Sequence, residues 1–202
     1  MLKDLLSGVS AGIAISLGGA VFLSCENRYV GAVLFSVALL CICLKGYALF
    51  TGKVGFLPES HDREALQLLL LCLLGNLLGT LVCGSALRFA VPAIGERALE
   101  LCTGKLTQLP AATLLRGCFC GLLMYLAVSI WRDRQTPLGI LFCIPVFILS
   151  GFEHSIADMF YFAASGIVSA EAFGFLWLVV IGNALGAMLL PALDLLGKRG
   201  KA

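Results

Sequence analysis

The chain reads as an all-α membrane protein of six transmembrane helices, arranged as two halves of three in inverted orientation, with the second and fifth helices broken. Three observations predict this. Hydrophobic residues make up 60% of the 202 residues and charged residues only 13%; the mean hydropathy is +1.01, and the apolar residues come in long blocks rather than stripes, as in polytopic membrane proteins. Within one such block, Ser150 to Asp158 sets Glu153, His154 and Asp158 between apolar Leu138–Phe152 and Met159–Ala164. Ionisable groups at membrane depth are costly and face a water-filled cavity or one another, so this stretch marks a functional site, and Gly151 lies where a helix can break. Third, Leu74-Gly75-Asn76-Leu77-Leu78-Gly79 returns as Ile181-Gly182-Asn183-Ala184-Leu185-Gly186, with Gly46 30 residues before Asn76 and Gly151 32 before Asn183. An offset of three spans is odd, so the halves insert oppositely, and transporters built this way place their site near the midplane where the broken helices meet.

The spans follow in order. Leu5–Ser24 is the first, rich in small residues that let neighbours approach closely, so it is expected in the interior. Its apolar run is longer than a signal peptide's and more spans follow. Tyr29–Leu44 is the second, stopping at Lys45-Gly46; the stretch after it, Leu49 to Gly55, mixes apolar residues, glycines and Lys53 and suits irregular backbone lining a cavity. Pro58–Glu64 is a polar loop in which His61 reads as a surface residue, and Ala65–Leu87 is the third span. Arg88–Leu109 is the longest polar connection. Ala111–Trp131 is the fourth span, with Arg116 snorkelling from its first turns. Pro137–Ser150 begins the fifth, broken at Gly151–Ser155 and resumed from Ile156, and Ala172–Leu193 is the sixth.

These spans leave room for a single transmembrane domain, 1–202, with repeat halves of about 1–95 and 105–202. A net charge of +2 in scattered short loops gives no case for nucleic acid. Cys41-Ile42-Cys43 and Cys118-Phe119-Cys120 have the wrong spacing for a zinc knuckle and no nearby histidine, so the membrane cysteines read as small core residues, with no metal and no cofactor. With the N-terminus inside, cytoplasmic segments hold Lys3, Lys53, Arg63, Arg132, Arg134, Lys198, Arg199 and Lys201, and outer segments hold Arg28, Arg88, Arg97 and Lys105. Eight against four, or seven if Lys53 belongs to the break, favours a multi-pass protein of the cytoplasmic (inner) membrane with both termini in the cytoplasm.

Gly151-Phe152-Glu153-His154-Ser155-Ile156-Ala157, together with Leu49-Phe50-Thr51, resembles the signature of the formate/nitrite transporters. The resemblance covers nearly the whole chain. It implies an aquaporin-like six-helix pore, one in each protomer of a homopentamer, that conducts small monovalent anions such as formate, nitrite or hydrosulfide. Carried over residue by residue, it implies that Thr51 and His154 are the polar pair at the pore centre, that Phe35, Leu39 and Phe147 form a cytoplasmic hydrophobic constriction, and that Leu49 and Phe50 stand at an outer one. Lys105 is similar to a lysine that draws anions into the outer vestibule. Three positions depart from the family pattern: Ala48 replaces an acid, Asp158 an asparagine, and Gly121 a frequent polar residue.

Each of these side chains also has a structural reading. His154 can be a neutral imidazole bonded to broken backbone, Thr51 a cap, Lys105 a solvated lysine. Gly46, Gly151, Asn76, Asn183, Glu153 and Asp158 support the breaks, and Lys45 either pairs with Glu153 across the repeats or snorkels. The chemistry favours transport over catalysis, because one histidine within the spans and no nucleophile–base pair do not make an enzyme. A bare anion pays a large desolvation cost in a narrow apolar pore and its neutral acid far less, so protonation near His154 would carry anion and proton together. The rival is a channel for small neutral solutes such as water, urea or ammonia, which has no need of Lys105.

Overall fold

The computed structural model describes residues 1–60 and 62–199. His61 and Lys201 lie outside the described residues, as do the side chains of Lys198 and Arg199, so these parts of the loop and charge readings have no structural counterpart. The described residues form helices α1 (Leu2–Ser24), α2 (Arg28–Lys45), α3 (Phe50–Lys53) continued by a 3-10 turn (Val54–Phe56), α4 (Arg63–Ala90), α5 (Pro92–Leu106), α6 (Pro110–Arg134), α7 (Leu138–Leu149), α8 (Ser155–Ser165) and α9 (Ala170–Arg199). α1, α2, α4, α6 and α9 are long and apolar enough to cross a membrane, whereas α7 is a shorter apolar helix.

α1 packs along α4, and α6 along α9. Small residues make this possible: a Cβ on Gly12 would overlap the Asn76 carbonyl, and one on Gly121 the Asn183 carbonyl. Without a hydrophobic driving force between helices in lipid, such backbone-to-backbone approach supplies much of the packing attraction. α1 is interior on this face alone. Its Gly8, Gly12, Ile15 and Gly19 are buried, but Leu6, Leu17 and Val21 on the other side are exposed, so the expectation of an interior helix holds for half its circumference.

One expectation about a connection needs correction. Arg88–Leu109 is not an extended polar link: α4 runs on to Ala90, and α5 starts at Pro92, which fixes φ and needs no backbone partner at the first helical position. Ile94, Ala98 and Cys102, spaced four apart, form its buried stripe. The charged residues between them masked this amphipathic period.

Both helix breaks are built alike. α2 ends at Gly46 (φ 67°), with Gly46 N–H on the Cys43 carbonyl and Tyr47 N–H on the Ile42 carbonyl. α7 stops before Gly151 (φ 72°), with Gly151 N–H on Ile148 and Phe152 N–H on Phe147. This pairing of bonds closes a helix through a left-handed residue, a conformation that glycine adopts at no steric cost. The chain then runs extended to Leu49 and to His154, which sit at the N-terminal caps of α3 and α8.

Candidate functional site

The extended links would leave backbone polar groups unpaired in an apolar interior, where each costs several kilocalories per mole. Asn76 and Asn183 satisfy them with one side chain each. Asn76 Nδ2 donates to the Gly8 and Ala48 carbonyls, both at 2.8 Å, and its Oδ1 accepts Phe50 N–H at 2.9 Å. Asn183 Nδ2 donates to Gly117 at 2.9 Å and Glu153 at 2.8 Å, and its Oδ1 accepts Ser155 N–H at 2.8 Å. Both amides are fully buried and use two donors and an acceptor.

His154 and Thr51 meet: Thr51 Oγ1 lies 2.9 Å from His154 Nε2, with both side chains buried. His154 Nδ1 accepts the Ala157 N–H at 3.1 Å, capping α8. An acceptor Nδ1 fixes the neutral tautomer with hydrogen on Nε2, so the imidazole donates towards Thr51, and a second ring proton would require breaking the cap. Phe147 stacks on the imidazole, centroids 5.6 Å apart, and Phe35 meets Phe147 edge-on at 6.3 Å.

A cavity of about 570 Å³ opens on one side of this pair, with His154, Phe147, Asp158, Glu153, Lys105 and Arg28 in its wall. Arg28 Nη2 donates to the Ile148 carbonyl at 3.1 Å, a cation on the end of α7 where orphan carbonyls collect. On the opposite side a cavity of about 400 Å³ is lined by Leu39, Leu49, Lys53 and Arg132. Thr51, Phe35 and Phe50 line neither; they are buried between the two.

This regroups the constriction residues. Phe147 faces the cavity shared by Arg28, Arg97 and Lys105, residues assigned to outer segments, whereas Leu49 faces the one with Lys53 and Arg132, assigned to the cytoplasm. If the loop charges set the orientation, Phe147 lies on the outer side and Leu49 on the cytoplasmic side, opposite to what the resemblance implies. Phe147 is the tenth residue of α7, so a rise of about 14 Å separates it from the start of that helix. Phe35 and Leu39, one turn apart on α2, fall with Phe147 and with Leu49 respectively.

Lys105 is neither a free vestibule lysine nor a solvated one. Its ammonium is ion-paired with Glu153 and lies 3.0 Å from Asp158 Oδ1, with side-chain exposures of 11%, 3% and 1% for the three. Gln108 Nε2 holds the other Glu153 oxygen at 2.7 Å, and Thr113 donates to Gln108 at 3.2 Å. Of the two readings of Lys45, the pair with Glu153 is absent among the described residues, and Lys45 is exposed at the end of α2. Lys105 reaches Glu153 because α5, the helix hidden in the polar connection, packs on α8. Arg116, in the first turns of α6, is exposed and lines the cavity. Arg28 and Gln108 were missed. Gln108 lies in the bend just after α5, where no periodic signal in the sequence marks it.

Nine free cysteines are distributed from buried (Cys72, Cys102, Cys120) to exposed (Cys41), so not all are core residues. Among the described residues no three His, Cys, Asp or Glu side chains converge as metal ligands would.

The chain is similar to known proteins in sequence and in fold. The family description "Formate/nitrite transporter" matches residues 1–196. The nitrite transporter NirC of Salmonella typhimurium is 29% identical over 223 residues, covering 95% of this chain and 80% of NirC. The uncharacterized transporter YwcJ of Bacillus subtilis is 27% identical over 188 residues, covering 83% of this chain and 73% of its own. In fold, an FNT family ion channel superposes with a TM-score of 0.80 at 23% identity, covering 98% of this chain and 88% of the channel. A pentameric formate channel with formate bound gives 0.78 at 21% identity, covering 95% and 94%. With a whole-chain family match joined to a capped histidine at the second of two glycine-stopped helices, this chain belongs to the formate/nitrite transporter family.

Proposed function

We propose that the chain carries small monovalent anions, formate, nitrite or hydrosulfide, together with a proton, through a pore that crosses Phe147 and Phe35, the Thr51–His154 pair, and Leu39 with Leu49. The observation that carries this reading is the hydrogen-bonded Thr51–His154 pair buried between two cavities. The aromatic and leucine walls exclude a hydrated anion, and the neutral acid meets a smaller desolvation barrier. His154 Nε2–H supplies a donor at the one polar point between them.

The matched breaks, caps and asparagine bridges support an inverted repeat of three plus three spans within one domain, halves about 1–95 and 105–202, with α2–α3 and α7–α8 as the broken helices. The loop charges support cytoplasmic termini in the inner membrane. The cavity beside Lys105 is then the outer vestibule and the one beside Lys53 the inner. Exposed apolar faces such as Leu70, Leu74 and Leu77 of α4 support contact with lipid and with further copies of the chain, and the solved pentameric relative favours a homopentamer. Native mass spectrometry in mild detergent is expected to show five protomers; chiefly monomer would overturn that assembly.

Proteoliposome uptake tests the function. Formate, nitrite and hydrosulfide are expected to enter with acidification of the lumen, while urea is excluded. Uptake of urea alone, indifferent to membrane potential and pH, would establish the neutral-solute channel instead.

A further inference from the structure

Asp158 places a second carboxylate beside Glu153 at the second helix break. One ammonium, Lys105, faces two buried carboxylates, Glu153 and Asp158. Glu153 has both oxygens occupied, by Lys105 and by Gln108. Asp158 has Oδ1 on Lys105 and Oδ2 buried with no partner among the described residues. A carboxylate oxygen without a hydrogen-bond partner in a buried site is costly, and so is a net charge. One added proton removes the net charge, and Oδ2 is the atom left free to hold it.

We propose that Lys105, Glu153 and Asp158 form a proton-holding triad that admits anions to His154 only when it carries one proton beyond the Lys105 ammonium. With that proton the triad is neutral and the arginines of the cavity dominate; without it a net negative charge stands in the wall of the same cavity as His154 and repels the anion. The proton comes from vestibule water: a hydronium O–H bond breaks, an O–H bond forms on Asp158, and water remains. This rests on the proton-linked reading above and specifies its control by outside pH.

The other ionisable neighbours do not supply the missing charge. The cavity wall also holds Arg28, Arg97, Arg116 and Glu100, with Arg28 committed to the α7 carbonyls and Arg97 Nη1 to the Leu23 carbonyl. Cys102 of α5, Cys120 of α6 and Tyr161 of α8 surround the carboxylates as thiols and a phenol, groups whose reference ionisation lies at about pH 8.5 and above. His154 is bound to Ala157 and Thr51. Of the remaining elements packed on α8, α4 brings Arg88 beside Gly166 at the far end, α9 brings Glu171 in its first turn, α3 brings Lys53 in the opposite cavity, and α1 has Lys3 and Asp4 only at its start.

The experiment measures formate uptake into proteoliposomes against outside pH at fixed internal pH, with the proton-to-formate ratio recorded, for wild type, Asp158→Asn and Glu153→Gln. Either replacement leaves one carboxylate against one ammonium, so the uptake profile is expected to become shallower by about tenfold per pH unit above its midpoint, the slope one proton contributes. In infrared spectra of the same samples the protonated-carboxyl C=O band is expected in wild type and in the surface control Asp133→Asn, and lost in both triad variants. Two variants guard against one failing to fold, and the band is read without transport. Wild-type coupling with unchanged slopes and a persistent band in the variants would overturn the triad alone. Wild-type uptake with no accompanying proton would overturn the proton-linked reading and this proposal with it.

Discussion

His154→Asn is expected to reduce proton-linked formate uptake on the order of a hundredfold, the lower range of what a positioned proton donor contributes, and to flatten its pH dependence. Asparagine is a strong N-cap residue, so its Oδ1 can keep the Ala157 N–H that His154 Nδ1 now accepts, and α8 survives. What disappears is the Nε2–H aimed at Thr51 and the ring stacked on Phe147. Phenylalanine makes the complementary variant: it keeps the stack, loses the cap at a cost of about 1 kcal/mol, and removes the polar point altogether. Asparagine, smaller and polar on both sides, is further expected to leak ions that the wild type rejects. Proteoliposome flux with internal pH recorded, between about pH 5 and 8 around the reference imidazole value, gives the comparison. If rate, selectivity and proton-to-anion ratio all match the wild type, His154 is a capping residue and nothing more.

Lys105→Met is expected to destabilise the protein by about 3–5 kcal/mol, because it leaves Glu153 and Asp158 buried together without their cation. Solvated, this lysine would act on encounter, and its loss would slow uptake chiefly at low salt. Buried between two carboxylates, it is shielded from mobile ions, and its loss shows at every ionic strength. Unfolding of detergent-solubilised protein reads the effect, and the triple replacement Lys105→Met, Glu153→Gln, Asp158→Asn is expected to recover most of it, since no charge is then left unpaired. A single variant as stable as wild type would mean that the carboxylates find other partners.

Much was legible in the sequence because membrane physics writes in long blocks. A lipid interior demands continuous apolar helices, so the spans could be read within a few residues of α1, α2, α4, α6 and α9. Gly46 and Gly151 were readable as stops, and Asn76 and Asn183 as equivalent positions, since glycine and a buried amide within such blocks need a structural reason. The signature around His154 led to the family that the whole-chain match bears out.

Pairing across the fold was not legible. The Asn76 and Asn183 bridges, the Arg28 contact with the α7 carbonyls and the Lys105–Glu153–Asp158 cluster join residues 26 to 120 positions apart. Periodicity carries no information about such separations. Lys45 and Lys105 were equally available to Glu153 on composition, and the choice fell to α5, whose amphipathic stripe docks on α8 and leaves Lys45 at an exposed helix end. Which cavity Phe147 and Leu49 each face was not legible, because position along a bundle depends on how far a broken helix rises before it stops. By itself, then, the sequence determined that the chain is a membrane helical protein with two breaks and a histidine beside the second, since hydrophobicity and backbone sterics act locally. Only the tertiary structure decided which charges neutralise one another and which apolar side chains close each cavity, since those interactions fall off within a few ångströms and depend on which helices pack together.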